Sequence, residues 1–268
     1  MLNYSQFLNE SIKYLSPSEI EKWLSDRSNR IFIAVDTETT GLEGPKKEQI
    51  TQISGVAFKY DPSTMTFEEI DHYNQKIKLN PEIIIKKNTP GTRVKSVLSF
   101  NRYGERKGNY IDEQEALNQF FDFVNKFGET VLIIQNAPFD MPLINIRRKL
   151  GGMKKEIFDS KDFFGYLLLP TLQKMTENGD EEAKVMLDKI GKSSSGIPTS
   201  SLPKVAPALG VKAEGAHDAL YDCRYTVKTL EKALDVVMKN KDLDIKKYVV
   251  PRISSDRYIK QKNKKMRK

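Results

Sequence analysis

Two acidic residues end the first apolar segment of the chain. Asp36 and Glu38 follow residues 31–35, a continuous apolar run that predicts a strand buried on both faces. Because side chains alternate along a strand, residues two apart lie on the same face. Two carboxylates held together repel each other, and a hard divalent cation such as Mg²⁺ or Mn²⁺ relieves that repulsion. The pair therefore predicts a metal site at a strand end, and the alternative is a polar turn.

A third carboxylate follows another apolar run. Asp140 ends the segment Gln-Asn-Ala-Pro-Phe-Asp, which comes directly after residues 131–134. A helix is predicted from about residue 142 to residue 150, so Asp140 stands at its start. Asp in that place ordinarily caps the helix. Taken alone, the position favours the capping role over a catalytic one.

A histidine and a fourth carboxylate lie close together near the C-terminal end. Five residues of a regular helix turn by about 500°, so His217 and Asp222 would not share one helix face. If the helix begins near Asp218 instead, His217 lies on the preceding loop and can reach over a site, while Asp222 points from the first turn. The chain has two histidines. His72 lies in a polar strand without a motif and is predicted to be structural.

Strands and helices alternate along the chain, which indicates an α/β fold. Strands are predicted over residues 31–35, 50–60, 69–79 and 131–134. Helices are predicted after Asp112, over about residues 142–150, 160–176 and 180–190, between Ser201 and Gly210, and over residues 219–237. The first three strands are joined by short turns, so part of the sheet is expected to be antiparallel.

Composition excludes several classes of protein. The chain has 268 residues, of which 38% are hydrophobic, enough for a sizeable core. No apolar run approaches the roughly 20 residues that a membrane span needs. The first residues have neither a basic nor an apolar leader segment, and one cysteine, Cys223, excludes an internal disulfide. We therefore expect a cytoplasmic protein that does not enter a membrane.

Positive charge is concentrated in two segments. The net charge is +8, and residues 251–268 hold eight basic residues and one acidic residue. Such an arm binds a polyanion or is a solvated terminus. Residues 81–111 form a basic excursion in which Phe100 and Tyr103 are interleaved with lysines and arginines. This excursion is either a platform for a single nucleic-acid strand or a solvated loop.

Taken together and in this order, residues 35–42, 135–140 and 216–222 resemble the three motifs of the DEDD superfamily of 3′-to-5′ exonucleases, in its histidine-bearing DnaQ-like branch (DEDDh). The resemblance covers about residues 30–237. Gln135 departs from the pattern, because the family often has His there. The resemblance implies a ribonuclease H-like fold, with a mixed sheet of about five strands, one of them antiparallel, flanked by helices.

The resemblance also implies a set of site residues. Four carboxylates would surround two divalent metal ions, Mg²⁺ or Mn²⁺: Asp36, Glu38, Asp140 and Asp222. Such ions, roughly 4 Å apart, stabilise the charge on the attacking and leaving oxygens of a phosphodiester. His217 would act as the general base. Four further residues would contact the substrate: Thr39 and Leu42 hold and wedge the terminal nucleotide, Asn136 orients the strand end, and Phe139 stacks on it or packs in the core.

These implications lead to a specific expectation of function. The chain is expected to divide into a helical lead-in (residues 1–29), an exonuclease domain (30–238, with the excursion 81–111 and an insert 177–200) and a basic tail (239–268). The expected reaction is release of nucleoside 5′-monophosphates from the 3′ end of DNA, preferably single-stranded, with a polymerase or a replication or repair protein as a further partner. The alternatives are an exoribonuclease or oligoribonuclease, and a non-cutting module that binds nucleic-acid ends or a polymerase.

Overall fold

The computed structural model describes residues 15–42, 44, 46–82, 109–192, 198–213 and 218–248. Six strands form one sheet in the order β4-β3-β2-β1-β5-β6. They are β1 (Ile31–Thr39), β2 (Ile50–Asp61), β3 (Thr66–Ile77), β4 (Tyr110–Ile111), β5 (Thr130–Ile134) and β6 (Glu156–Asp159). The strands β1, β5 and β6 are consecutive parallel neighbours, and their carboxyl ends therefore meet at one edge.

One strand runs against the other five. β2 is antiparallel to both of its neighbours, β1 and β3, whereas β4 is parallel to β3. The predicted α/β fold, a mixed sheet with one antiparallel strand flanked by helices, is confirmed. The sequence patterns locate four of the six strands and miss β4 and β6. The two residues of β4 pair with Lys76 and Ile77. So short a strand leaves no periodic pattern in a sequence.

Helices cover both faces of the sheet. They are α1 (Pro17–Ser25), α2 (Glu113–Asn125), α3 (Ala137–Arg147), α4 (Ser160–Phe163), α5 (Leu169–Glu177), α6 (Glu181–Ile190), α7 (Leu202–Ala208) and α8 (Ala219–Lys239). A π-helical turn (Phe164–Leu168) joins α4 to α5, and a 3₁₀ turn (Lys246–Tyr248) follows α8. Within the described ranges, no helix combines the length and the apolar character that crossing a bilayer requires.

Alternation along the strands divides the core in two. On one face, Phe32 and Val56 pack with Leu230 of α8. On the other face, Ile33 packs with Phe120 of α2. Gly55 allows this second contact, because a Cβ there would lie 3.0 Å from the Phe120 ring and 3.1 Å from the Phe123 ring. Consecutive residues of β1 therefore anchor the sheet to opposite helix layers, which fixes the strand that carries Asp36 and Glu38.

The helix α1, in the described part of the lead-in, packs against this core. Ile20 and Leu24 of α1 are buried on the α8 face of the sheet. Ser16 and Glu19 form a reciprocal capping box at the start of α1. The division into lead-in, exonuclease domain and tail stays a prediction. Most of the basic excursion, part of the insert and the basic arm fall outside the described residues.

One predicted boundary is wrong. α3 begins at Ala137 and not near Pro142, so Asp140 lies in the first turn of the helix and is not its N-cap. Pro138 takes the place at the helix start that a proline favours. The N–H groups that begin the helix are bound by Asp159, which is distant in the sequence. Local patterns could not show that partner.

Candidate active site

Three carboxylates meet at the carboxyl end of β1. Asp36 and Glu38 come from the strand, and Asp222 comes from the first turn of α8. One oxygen atom from each lies within 4.8 Å of the other two. Asp36 and Asp222 are partly exposed, whereas Glu38 is buried. Within the described ranges, no other three His, Cys, Asp or Glu side chains form such a group.

The end of β1 has one open edge. Its last pair with β5 is Val35 with Ile134, yet β1 continues for four more residues beside β2. The register along β2 shifts between Glu38 and Thr39. An irregularity of this kind bends the strand and redirects the side chains next to it. Beyond its last pair with β5, the strand end therefore faces the helix that follows β5.

Asp140 occupies that open edge. Its Oδ1 atom accepts hydrogen bonds from Thr37 N, at 3.2 Å, and from Thr37 Oγ1, at 2.6 Å. The Asp140 side chain is buried. It is not a member of the group within 4.8 Å, but its charge raises the pKa of Asp36. The structure therefore brings all four predicted carboxylates to one end of the sheet, three of them in mutual contact range.

The start of α8 is fixed by its own cap. Asp218 Oδ1 accepts hydrogen bonds from Leu220 N and from Gln52 Nε2 of β2, both at 3.1 Å. Asp222 follows one turn later, which agrees with the expected helix start at Asp218. The cap holds the first turn of α8 against β2, and hence holds Asp222 beside β1. His217 lies outside the described residues.

The site concentrates negative charge in an enclosed place. Enclosure by protein atoms raises the pKa of Asp36 well above its usual range, and the charges of neighbouring acids raise it further: Asp140, Asp222, Glu38 and Asp218. Burial raises the pKa of Asp140 to about 7, against the opposing effect of its Thr37 hydrogen bonds. Hard oxygen ligands in such a setting fit a divalent cation of the Mg²⁺ or Mn²⁺ type. Asp36, Glu38 and Asp222 could hold it.

Asp159 is a buried carboxylate beside the site that the sequence analysis missed. This buried carboxylate at the end of β6 accepts the N–H groups of Asn136 and Ala137 at the start of α3. It also accepts those of Lys161 and Asp162 at the start of α4. Burial, followed by the charge of Asp162, raises its pKa to about 6. Asp159 thus positions the helix that carries Asp140. The only sequence signal was an acid after the short apolar pair 157–158.

A turn after β1 carries the exposed side chain of Leu42. Thr40 Oγ1 donates to Glu48 Oε2, at 2.6 Å, and Gln49 N donates to Thr40 Oγ1, at 3.0 Å. A Cβ at Gly41 would lie 2.7 Å from the Glu48 carboxylate, so a larger residue would have to shift the Glu48 side chain that Thr40 binds. Leu42 is 62% exposed. We call the contact between Thr40, Gly41 and Glu48 the loop clamp.

The other predicted substrate residues differ in their surroundings. Thr39 is buried, and its Oγ1 donates to Gly41 O at 2.8 Å. Asn136 has a left-handed backbone, with a φ of 74°, and its Oδ1 accepts from Lys161 Nζ at 2.9 Å. Phe139 is partly buried and packs against the core on the α2 face. The packing alternative for Phe139 is therefore observed, and its stacking role stays a prediction.

Gln135, which departs from the family motif, forms hydrogen bonds through both its side-chain oxygen and its side-chain nitrogen. Its Oε1 accepts from Ser160 Oγ at 2.6 Å, and its Nε2 donates to Ser200 O at 3.3 Å. These bonds tie the end of β5 to the start of α4 and to the segment before α7. A glutamine can make both bonds at once because it carries a donor and an acceptor.

The chain is similar to known nucleases in sequence profile and in fold. The sequence profile of the RNase_T family, described as exonuclease, matches residues 33–230. A search of curated protein sequences found no significant match. The structure of cell-death related nuclease 4 (CRN-4) is 15% identical, with a TM-score of 0.40, and the alignment covers 76% of this chain and 64% of that one.

Exonuclease I structures are also similar. The ExoI/SSB-Ct complex is 13% identical, with a TM-score of 0.50, and the alignment covers 80% of this chain and 43% of that one. For E. coli exonuclease I in complex with a dT13 oligonucleotide, the identity is 14%, the TM-score is 0.47 and the coverages are 75% and 40%. The chain thus spans less than half of exonuclease I.

The profile match covers well over half of the chain and includes every carboxylate of the site. The likeness to the ExoI/SSB-Ct complex supports the ribonuclease H-like fold. The protein therefore belongs to the RNase_T exonuclease family, within the DnaQ-like exonuclease superfamily.

Proposed function

We propose that the protein is a divalent-metal-dependent 3′-to-5′ exonuclease that releases nucleoside 5′-monophosphates from DNA, with single strands preferred. The observation that carries this proposal is the group of Asp36, Glu38 and Asp222, whose oxygens lie within 4.8 Å of one another. The buried Asp140 beside them supplies the fourth carboxylate of the family pattern. Membership of an exonuclease family supports hydrolysis over binding alone.

The carboxylates would hold the metal ions. Asp36, Glu38 and Asp222 offer the oxygens of the group, and Asp140 lies next to it on the open edge of β1. Two bound Mg²⁺ or Mn²⁺ ions would stabilise the negative charge that develops on the attacking and leaving oxygens of the phosphodiester. Enclosed carboxylates with a raised pKa favour a cation, because its charge offsets their mutual repulsion.

The chain's own residues would position the strand end and move the proton. Leu42, exposed on the clamped loop, would contact the terminal base, and the backbone at Thr39 would hold the terminal sugar. Asn136 would orient the strand end. His217 would accept the proton of the attacking water, because imidazole has an ordinary pKa of about 6.5 and changes charge near neutral pH.

DNA is the first choice of substrate because the motifs resemble the proofreading branch of the superfamily. A 3′-to-5′ exoribonuclease is the alternative within the same chemistry. The site residues do not discriminate between deoxyribose and ribose, so the first experiment includes both DNA and RNA.

The test is a gel time course on 5′-labelled single-stranded DNA, duplex DNA and single-stranded RNA, with Mg²⁺, Mn²⁺ or EDTA. We expect a ladder that shortens from the 3′ end with metal and is absent with EDTA. Asp222→Asn should abolish it, whereas Asp122→Asn, on the exposed face of α2, should not. Immediate release of a labelled mononucleotide would show the opposite polarity. Strand binding without cleavage would favour the non-cutting module.

The role of His217 needs a separate readout. His217→Ala should lower the rate of hydrolysis by at least about a hundredfold, the usual contribution of a general base. Metal affinity, followed by calorimetry with Mn²⁺, should change little. An unchanged rate would remove His217 from the mechanism.

A further inference from the structure

We propose that a cavity beside the carboxylate site binds the phosphates of the nucleic-acid strand a few nucleotides before its 3′ end, through Lys46, Lys78 and Lys149. The cavity has a volume of about 770 Å³. It opens to solvent and is lined by the segment just before β2, the segment after β3, the start of α2 and the end of α3. This inference rests on the proposed exonuclease function for the direction in which the strand enters. The experiment that tests it distinguishes failure of the inference from failure of the proposed function.

The cavity shares two elements with the carboxylate site. Gln49 lines the cavity, and its carbonyl oxygen accepts the N–H group of Thr40, two residues beyond Glu38. α3 carries Asp140 in its first turn and contributes Ile146 from its last turn to the cavity wall. Six residues of helix span about 9 Å, which is close to the length of three stacked nucleotides. A strand whose end lies at the carboxylates can therefore reach the cavity.

Positive charge in the cavity is available to a ligand. Lys46, Lys78 and Lys149 are exposed, and no carboxylate in the described part of the chain forms an ion pair with them. Of the two acids in the wall, Glu113 is bound by the guanidinium of Arg147. Asp112 caps α2 by accepting the N–H of Gln114 at 2.8 Å. Three cations on three sides of one cavity suit a ligand with several phosphates.

The walls are held by a polar network rather than by the lysines themselves. Gln49 Nε2 donates to Lys78 O, and Gln49 Oε1 accepts from Asn80 N, both at 2.9 Å. Gln114 Nε2 donates to Arg147 O at 2.8 Å, and Lys149 N donates to Gln114 Oε1 at 2.9 Å. Two glutamines thus fix the backbone at two of the three lysines. At Lys78 and Lys149, binding would therefore order only the side chains, which limits its entropic cost.

An apolar side chain accompanies the cations. Ile146 lines the cavity and is 58% exposed. Sites for single strands combine cations that follow the phosphates with apolar surfaces that contact the bases. The combination favours a flexible strand over a compact phosphate metabolite, because a single phosphate could engage only part of so wide a cavity.

The test compares two triple variants with equal loss of charge. One is Lys46→Gln with Lys78→Gln and Lys149→Gln. The control is Lys22→Gln with Lys59→Gln and Lys189→Gln, three exposed lysines that do not line the cavity. Each is assayed on a thymidine oligonucleotide of about twenty nucleotides and on the p-nitrophenyl ester of thymidine 5′-monophosphate, which is too short to reach the cavity. Strand affinity is also measured by fluorescence anisotropy in EDTA, across a salt series.

For the cavity variant we expect the KM for the oligonucleotide to rise about tenfold, with the rate on the ester unchanged. The slope of log affinity against log salt should fall in magnitude by about 2, because each lost contact to a single strand contributes about 0.7. Equal behaviour of the two triple variants would overturn the inference. If no variant, nor the unmodified protein, hydrolyses either substrate, the proposed function fails, while the anisotropy series still decides whether the cavity binds a strand.

Discussion

The carboxylate site and the cavity lined by Lys46, Lys78 and Lys149 (the lysine cavity) lie next to each other but differ in the sign and the exposure of their charges. At the site, enclosed acids lie together, and each raises the pKa of Asp36. In the cavity, the acid Glu113 is neutralised by Arg147, and the lysines extend into solvent. Enclosed like charges destabilise the folded chain until a bound cation offsets their repulsion, whereas exposed cations change its stability little. The difference supports the two proposals, metal-dependent chemistry in the first region and strand binding in the second.

The largest expected effect separates the two regions by reaction rate. Asp36→Asn keeps the shape of the side chain but removes a metal-binding charge, so hydrolysis of both the oligonucleotide and the small ester should fall by at least about a thousandfold. The cavity variant should spare the ester. Steady-state assays of the two proteins on the two substrates check this. Retention of ester hydrolysis by Asp36→Asn would place the chemistry elsewhere.

The next effect concerns stability and pH. Burial raises the pKa of Asp140 to about 7 and that of Asp159 to about 6. A raised carboxyl pKa means that the folded chain holds the proton more tightly than the unfolded chain does. The stability that this provides is fully present below the unfolded pKa of about 4 and is lost progressively until the pH has passed the folded values of about 6 and 7. Without metal, the free energy of unfolding should fall by a few kcal/mol, as an order of magnitude, between pH 5.5 and pH 8.

Urea unfolding in EDTA at the two pH values measures this loss, and Mg²⁺ should restore more stability at pH 8 than at pH 5.5. Asp140→Asn should flatten the pH dependence, because an amide does not titrate in this range. Its oxygen can still accept the Thr37 hydrogen bonds, so the variant keeps those contacts. Stability that rises with pH in EDTA would contradict the electrostatic description of the site.

A smaller effect tests whether Asp159 acts by position. Asp159→Ala leaves the first N–H groups of α3 and α4 without their acceptor, which should cost about 2–4 kcal/mol of stability. Asp159→Asn should recover much of this loss. If α3 is displaced, kcat should fall in the alanine variant and return in the asparagine variant. Loss of stability with an unchanged kcat would reduce Asp159 to a purely structural cap.

The smallest effect distinguishes the role of the loop clamp from that of the exposed Leu42 that follows it in the chain. Leu42→Ala should raise the KM several-fold with less than about 0.5 kcal/mol change in stability, because the side chain is largely exposed. Gly41→Ala should change both, because its Cβ meets the Glu48 carboxylate. Paired thermal unfolding and kinetics check the difference. A KM that Leu42→Ala does not alter would remove Leu42 from the strand-end site.

Sequence patterns predicted the parts of the molecule that depend on local geometry. The alternation of β1 placed Asp36 and Glu38 on one face, and the cap at Asp218 placed Asp222 in the first turn of α8. Contacts between distant segments were not predictable in this way. Asp159 binds the start of α3 from 22 residues away, and Thr40 meets Glu48 through a loop.

The lysine cavity illustrates the same limit on a larger scale. Its walls come from four separate segments, and no motif joins Lys46, Lys78 and Lys149 in the sequence. Their positions depend on the register of β2 with β3 and on the packing of α2 and α3 against the sheet. Only the folded structure brings these three lysines to one cavity, so sequence patterns could not predict it.

The most direct test of the central claim follows the last phosphate of a single DNA strand. The strand carries its label in the phosphate between the last two nucleotides, and the first products are separated by thin-layer chromatography. We predict that label appears first as nucleoside 5′-monophosphate, only with Mg²⁺ or Mn²⁺, and not with Asp36→Asn. Label in longer fragments or in a 3′-monophosphate, or equal release by Asp36→Asn, would contradict a 3′-to-5′ exonuclease built on these carboxylates.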